Sequence, residues 1–200
     1  MKSQKFFFLA IVLLLESCAA GYRAINPPSL NYQSQSSDKG VTFDYKYGVL
    51  SNRYANKALK SNTQLAAVKI VNNSDRDLVF GKDITLAYTN NNSPSIVKTD
   101  DLFAEVKQGV PIYLLYLLLT PAMLNTTSSD GETSSTPIGL ILGPGLVGGN
   151  MIAAGSANTN FHNELTQYDL TGVTIKKGQT VYGLVGIASD SADALKIMVK

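Results

Sequence analysis

Three glycines in the second half of the chain have a spacing that could bind a dinucleotide. Gly143, Gly145 and Gly148 form the pattern G-x-G-x-x-G behind an apolar run, and Asp169 follows about twenty residues later. In such a site the glycines let the backbone approach a pyrophosphate, and the acidic residue binds a ribose hydroxyl.

Two features argue against a nucleotide site here. The glycine loop would need a parallel βαβ unit behind it, whereas the segments on either side have the patterns of antiparallel strands. Pro144 also removes one N–H group where donors should surround a phosphate. We therefore expect neither a nucleotide ligand nor a cofactor.

The residues that most often carry catalysis or bind metal are scarce. The sequence has one His and one Cys. His162 lies in a polar run that predicts a helix, without a second His that could share a metal ion, and there is no G-x-S-x-G sequence of the kind that presents a nucleophilic serine. We expect His162 to be an exposed helix residue, and we expect no catalytic residues.

One run of oxygen-bearing side chains has the alternation of a calcium loop. Asn73, Asp75 and Asp77 are spaced by two residues, but Leu78 and Ile84 stand where such a loop requires Gly and Glu. The run therefore predicts a polar turn and no metal site.

The N-terminus has the pattern of an export signal. Lys2 and Lys5 precede an uncharged apolar run over residues 6–15. Ten residues of helix span about 15 Å, roughly half of a bilayer core, which is too short for a membrane anchor. Residues 1–17 are therefore predicted to be a signal peptide.

The end of this signal carries a more specific motif. Leu15-Glu16-Ser17-Cys18 resembles the lipobox of bacterial lipoproteins. That resemblance implies cleavage before Cys18, lipidation of its thiol with diacylglycerol and acylation, for instance by palmitate. Since Ala19 follows rather than Asp, it also implies the outer membrane. The alternative, cleavage after Ala20, would leave an unpaired thiol in an oxidising compartment, whereas lipidation explains the single cysteine.

The charge of the mature chain is nearly balanced. Without Lys2, Lys5 and Glu16, the 17 basic and 15 acidic residues become 15 and 14. The Lys and Arg residues are scattered singly along the sequence, so we expect no nucleic-acid partner. Residues 18–200 are enough for one domain with a core and an insertion.

Alternation of apolar and polar residues predicts a mainly β fold. Residues 40–50 alternate with a period of two, which is typical of a strand with one buried face. Further strands are predicted at 63–71, 78–80, 84–88, 173–175, 180–188 and 195–199, with the last two forming a closing hairpin. Short strands separated by turns indicate an antiparallel β-sandwich over residues 40–108 and 158–200. Residues 18–39, rich in Pro, Ser, Gln and Asn, are predicted to be a flexible tether.

The pattern of the β-domain resembles small immunoglobulin-like domains of bacterial envelope lipoproteins. The likeness is carried by VKIVNNSD at 68–75, GQTVYG at 178–183 and the terminal strand. Such domains bind, space or brace other components, and the fold by itself names no ligand.

The unusual part of the chain is an apolar insertion over residues 109–157. The sequence has no charge between Lys107 and Asp130, or between Glu132 and Glu164. Its Leu-rich and Gly-rich halves each approach the roughly 20 residues that span a bilayer, and the small-residue spacing allows close helix packing. We expect an apolar helical hairpin, followed by a short helix. Prolines and glycines in both halves favour partial insertion over full crossing.

These expectations lead to a non-catalytic lipoprotein of the cell envelope. Its partners would be the bacterial membrane and an unidentified envelope protein, engaged by the hairpin. An alternative is a lipid- or peptide-binding module in which the hairpin is a lid over an apolar pocket, and a hydrolase is the third possibility. The predicted membrane-contact residues are Tyr113, Leu114, Leu115, Leu117, Leu118, Gly143, Gly145, Gly148 and Gly149.

Overall fold

The computed structural model describes residues 21–109, 123–136 and 138–200. For residues 136 and 138–146 it describes the backbone alone. Contacts divide the chain into two compact units. The β-unit contains Tyr22–Lys107 and Thr159–Lys200, and the insertion unit contains Met1–Gly21 and Gln108–Asn158. The second range ends within one residue of the predicted insertion on each side.

The described residues form short strands and three helices. The helices are α1 (Asn52–Lys60), α2 (Thr99–Val106) and α3 (Ile138–Gln167), and Pro27–Ser29 form a 3-10 turn. The strands are β1 (Ser34–Asp38), β2 (Val41–Lys46), β3 (Thr63–Asn72), β4 (Leu78–Val79), β5 (Ile84–Tyr88), β6 (Ile96–Val97), β7 (Leu124–Thr127), β8 (Thr133–Thr136), β9 (Thr174–Ile175), β10 (Thr180–Ala188) and β11 (Leu195–Val199).

The largest sheet is antiparallel, with the strand order β1-β2-β3-β10-β6. The predicted alternation in β2 is confirmed, because Val41, Phe43 and Tyr45 are buried while the residues between them are partly exposed. Lys39 and Gly40 connect β1 to β2 with φ values of 42° and 80°. Positive φ at both central residues is the geometry that suits a two-residue hairpin. The antiparallel β-rich fold predicted from the sequence is therefore confirmed.

A second sheet pairs β11 with β5 and shares the core of the first. The predicted hairpin between β10 and β11 is wrong, because both edges of β10 are occupied by β3 and β6. The other edge of β11 is closed by side chains, since alternate N–H groups donate to oxygens of β1 and β2. These bonds are Leu195 to Tyr45 Oη (3.0 Å), Ile197 to Ser36 Oγ (3.0 Å) and Val199 to Asp38 Oδ2 (2.7 Å).

The segment predicted to be a flexible tether is largely part of the β-unit. Ser34–Asp38 pair with β2 as strand β1, and Ile25 and Pro27 are buried. For residues 22–38 the tether prediction is therefore wrong. Apart from the neighbouring strand β2, their hydrogen-bond partners lie far away in sequence, on β11 and α3, so local composition does not indicate them. Cys18 and the two residues after it lie outside the described residues.

The insertion unit contains a polar hairpin and a long helix. β7 pairs with β8 through a turn at residues 128–132, and α3 begins two residues after β8. The Gly-rich half of the insertion and the predicted short helix after it form one continuous helix, α3, which differs from the expected break between them. At the ends of the insertion, the Asn158 amide donates to Gln108 O (2.9 Å) and accepts from Gln108 N (2.8 Å).

Gly183 on β10 permits a close contact with the loop that follows α3. A Cβ atom placed on Gly183 would lie 2.3 Å from Cγ and Cδ1 of Leu170. Leu170 is buried in the core, and the Leu184 N–H donates to Tyr168 O at 2.8 Å, so this loop has little room to move away. The missing side chain at Gly183 therefore allows Leu170 to pack on the sheet.

We expect Gly183→Ala to lower the free energy of unfolding by about 1–3 kcal/mol, because the added methyl group overpacks the core. Gly149→Ala is the control, since its Cβ would meet nothing within 4 Å. It should be neutral or stabilise α3 by up to about 1 kcal/mol. Urea denaturation measures both. Leu170→Ala should cost less unfolding free energy in the Gly183→Ala background than in the unmodified chain, because the shorter side chain relieves the clash. Strictly additive changes in the free energy of unfolding would contradict the proposed clash.

Candidate functional site

The most unusual group in the β-unit is the carboxylate of Glu164. It lies on α3 and is only 9% exposed. Its Oε2 accepts hydrogen bonds from the Tyr22 hydroxyl and from Ile25 N (3.0 Å), and its Oε1 accepts one from Asn26 N (2.7 Å). A buried carboxylate is tolerated when its oxygens are hydrogen-bonded in this way. Glu164 therefore fastens the first described residues of the chain to α3, and we call this arrangement the Glu164 clamp.

The environment of the clamp also shifts the pKa of the Tyr22 hydroxyl. Burial raises the pKa of Tyr22 above its ordinary value, and the hydrogen bond to Glu164 and the negative charge of that carboxylate raise it further. The phenol therefore stays protonated and remains a donor to Glu164 throughout the physiological pH range.

An aromatic cluster lies beside the clamp. The Tyr22 ring is 5.6 Å from the ring of Tyr54 and 5.5 Å from that of Phe161, and the last two rings are 4.7 Å apart. Tyr54 lies on α1, and Phe161 lies one turn before Glu164 on α3. Because residues spaced by three or four share a helix face, Phe161, Glu164 and Leu165 form the buried face of this end of α3. The cluster therefore links α1, α3 and the N-terminal segment.

A surface cleft of about 470 Å³ opens next to the clamp. Its lining includes Asn26, Asn160, Asn163 and Gln167 together with Glu164. These side chains are amides, apart from a carboxylate whose oxygens already accept hydrogen bonds. The amides of the cleft, together with the phenol of Tyr168, can offer hydrogen bonds to a polar surface or ligand.

The residues with possible chemistry in the sequence are engaged in structural contacts. His162 lies on α3 as expected and is partly exposed, with its Nε2 atom 3.2 Å from Asp100 Oδ1 and its ring 4.6 Å from that of Phe103. Asp77 Oδ1 accepts from Lys177 N at 2.9 Å. Within the described ranges, no group of three or more His, Cys, Asp or Glu side chains could hold a metal ion.

The dinucleotide-like pattern lies inside a helix. Gly143, Gly145 and Gly148 are all residues of α3 and not of a strand-to-helix turn. Asp169 accepts hydrogen bonds from Thr171 N (2.8 Å) and the Thr99 hydroxyl (2.7 Å). Partial burial acts to raise the pKa of Asp169, but these hydrogen bonds outweigh it and lower the pKa. The carboxylate thus joins the start of α2 to the loop after α3.

The predicted membrane-contact residues are described only in part. Tyr113, Leu114, Leu115, Leu117 and Leu118 lie outside the described residues, as does Cys18. Gly143, Gly145, Gly148 and Gly149 belong to α3, and the last two are exposed. The same unit exposes Ile152 (75%), Met123 (60%) and Leu124 (45%). Of the helices within the described ranges, none has the length and hydropathy required to cross a membrane.

A smaller apolar pocket of about 150 Å³ lies beside α1. Val49, Leu50, Ala55, Leu59 and Leu65 contribute to its lining, and Leu59 is 64% exposed. A volume of this order can hold a benzene-sized group.

Sequence reasoning missed the Glu164 clamp and helix α1. Glu164 pairs with residues about 140 positions earlier, which no local pattern indicates. A signal for α1 was present, because Tyr54 and Ala58, spaced by four, are its buried residues.

We expect Glu164→Gln to release residues 22–26 from α3 and to lower the free energy of unfolding by about 1–3 kcal/mol, since an amide nitrogen cannot accept the hydrogen bonds that one carboxylate oxygen accepts. Hydrogen exchange should become faster at the Ile25 and Asn26 amides, while amides in β3 and β10 keep their protection. Glu132→Gln, at an exposed turn, is the matched control and should change neither quantity. Unchanged exchange at residues 25 and 26 in Glu164→Gln would show that the clamp does not hold this segment.

Comparisons with known proteins were made against family models, curated proteins and solved structures. None of the three found a match for this chain.

Proposed function

We propose that this chain is a non-catalytic lipoprotein of a bacterial cell envelope, anchored to the outer membrane by lipid on Cys18. The observation that carries the proposal is Leu15-Glu16-Ser17-Cys18, in which the only cysteine of the chain directly follows a short signal-like segment. Lipid on this residue accounts for both the number and the position of the cysteine. Two or more acyl chains suffice for stable anchoring, so the protein needs no other segment to stay on the membrane.

The proposed domain is an immunoglobulin-like β-sandwich. Support comes from the packing of two sheets on one core, with Phe43, Val68 and Ile70 from the five-stranded sheet and Leu86 and Ile197 from the two-stranded sheet. Aligned sheets that face each other over a shared core are the hallmark of that architecture. A domain of this kind serves as a rigid body that presents loops and insertions.

The proposed role of the insertion is contact with the membrane or with a membrane partner. Exposed apolar side chains in the insertion unit support this role, namely Met123, Leu124 and Ile152. The helix that carries Ile152 also exposes Gly148 and Gly149, so part of its surface is without charge. Exposed apolar side chains are typical of a surface that binds lipid or protein. The β-unit also exposes Leu59, Ile96 and Met198.

The apolar pocket beside α1 favours a second candidate function. Its volume and its lining of Val, Leu and Ala side chains suit the end of an acyl chain or one apolar side chain of a peptide. The protein would then be a lipid- or peptide-binding module. Such a module should be soluble without detergent once the N-terminal lipid is removed.

The lipid anchor is tested by Cys18→Ser in the bacterial host. We expect this substitution to abolish incorporation of labelled palmitate and to leave unprocessed precursor, because lipidation of the thiol precedes cleavage. Ser17→Ala, which keeps a small residue before the cysteine, is the control and should still be labelled. If native protein takes up no label and Cys18→Ser is still cut after Ala20, the chain is not a lipoprotein.

The role of the insertion is tested by replacing residues 109–157 with a short Gly/Ser linker, in a Cys18→Ser chain made without its signal peptide. Gln108 and Asn158 remain as the base of the linker. The β-unit should still fold, because β3 with β10 and β5 with β11 pair without the insertion, and long loops cost little closure entropy.

The measurement is binding to neutral phosphatidylcholine vesicles. The intact chain should need detergent or bind these vesicles, and the deleted chain should be soluble and should not bind. Two results together would contradict the membrane role: the deletion variant is unfolded, and the intact chain is soluble and does not bind the vesicles. The insertion would then belong to the core.

A further inference from the structure

Helix α1 carries a basic face. Arg53, Lys57 and Lys60 are spaced as i, i+4 and i+7, so they lie along one side of the helix, next to the buried side that contains Tyr54 and Ala58. The helix has no acidic residue, and the sequence from residue 45 to residue 74 contains five cations and no carboxylate. The cations that look scattered along the sequence are therefore concentrated by the fold.

The two lysines of this face are available to bind an anion. Within the described part of the chain, neither Lys57 nor Lys60 has a carboxylate within 4.0 Å. The nearest acidic helix, α2, uses Asp100 to pair with His162, and its Glu105 accepts from the Thr63 hydroxyl at 2.9 Å. The positive charge of the lysines is thus not neutralised by direct ion pairs.

The fold also places this face near the proposed lipid anchor. Tyr54 of α1 packs edge-on against Tyr22 at 5.6 Å, and the Glu164 clamp holds Tyr22 in place. Cys18 is four residues before Tyr22, and four extended residues span at most about 14 Å. Arg23, which is exposed, adds another cation directly after Tyr22. Acyl chains on Cys18 would therefore hold α1 close to the lipid headgroups.

We propose that the basic face of α1, formed by Arg53, Lys57 and Lys60, binds anionic lipid headgroups and thereby orients the β-unit on the membrane. This inference rests on the proposed lipid anchor at Cys18. The partner is an anionic bilayer surface, because the face is cationic, has Lys60 exposed and Arg53 and Lys57 partly exposed, and lies within a short length of chain from the acyl groups. Lipid anchors combined with a basic patch bind anionic membranes more tightly than either signal alone.

The test uses the mature chain from residue 18 with Cys18→Ser, so that lipidation does not contribute. Binding is measured on phosphatidylcholine vesicles and on vesicles of phosphatidylcholine and phosphatidylglycerol in equal parts. The ratio of the two partition coefficients reports the charge-dependent contribution, since contact of the apolar insertion with lipid is the same on both. We expect a preference of about 25-fold or more for the anionic vesicles, at roughly fivefold for each of the two lysines.

Lys57→Glu with Lys60→Glu should reduce this preference by about 20-fold or more, since each lysine contributes roughly fivefold. Lys57→Gln with Lys60→Gln removes the charge without adding repulsion and serves if the first variant folds poorly. Lys176→Glu with Lys177→Glu, at an exposed turn, changes the net charge equally and should leave the preference intact. High salt should abolish the preference of the unmodified chain, because the screening length falls to about 3 Å at 1 M.

The proposal would be overturned if the Glu and Gln double variants at Lys57 and Lys60 both kept the preference for anionic vesicles. It would also be overturned if the control variant at Lys176 and Lys177 lost that preference to the same extent. Neither outcome bears on the lipoprotein proposal, which is decided by labelling of Cys18 in cells. Conversely, absence of palmitate label on Cys18 would contradict the lipid anchor. The charge-dependent binding of the mature chain is measured independently of that result.

Discussion

The structure of the β-unit depends on one buried carboxylate. Taking the charge of Glu164 out of water carries a cost that is offset only if its oxygens are fully hydrogen-bonded. The donors come from residues 22–26, at the opposite end of the unit's sequence. The clamp therefore determines where residues 22–26 lie on the β-unit, and it holds Tyr22 against Tyr54 and Phe161.

The same N-terminal segment completes the core. After the clamp, β1 pairs with β2, and its Ser36 and Asp38 side chains accept from the free N–H groups of β11. An edge strand with open N–H groups invites pairing with other chains, and side-chain oxygens provide an alternative partner. The two sheets are thus joined by side chains along this edge, which explains why a strand as polar as SQSSD belongs to the fold.

The clamp, helix α1 and the insertion each bear on the proposed association with a membrane. The clamp holds the chain from Tyr22 onward, four residues after Cys18, so an acyl anchor on Cys18 would constrain the orientation of the β-unit as well as its location. The aromatic contact with Tyr54 places a helix with three cations next to Tyr22. The insertion begins and ends at the buried Gln108–Asn158 pair, so its two ends are held together. Lipid, charge and apolar surface would then act as three separate contributions to binding.

The sequence by itself determined the strands whose period of two reports one buried face. The bounds of β10 and β11 agree with the predicted strands at 180–188 and 195–199. Burial alternates along β11, whereas β10 has a continuous buried run over residues 183–187, and both patterns are local properties of the sequence. Only the tertiary structure decided that β11 pairs with β5 rather than β10, that β1 is a strand, and that Glu164 binds the N-terminal segment. The pairing of β11, the contacts of β1 with β11 and the Glu164 clamp depend on partners far apart in sequence, and hydrogen bonds to such partners leave no local periodicity. The basic face of α1 also required the structure, since three cations share a surface only once the helix is known.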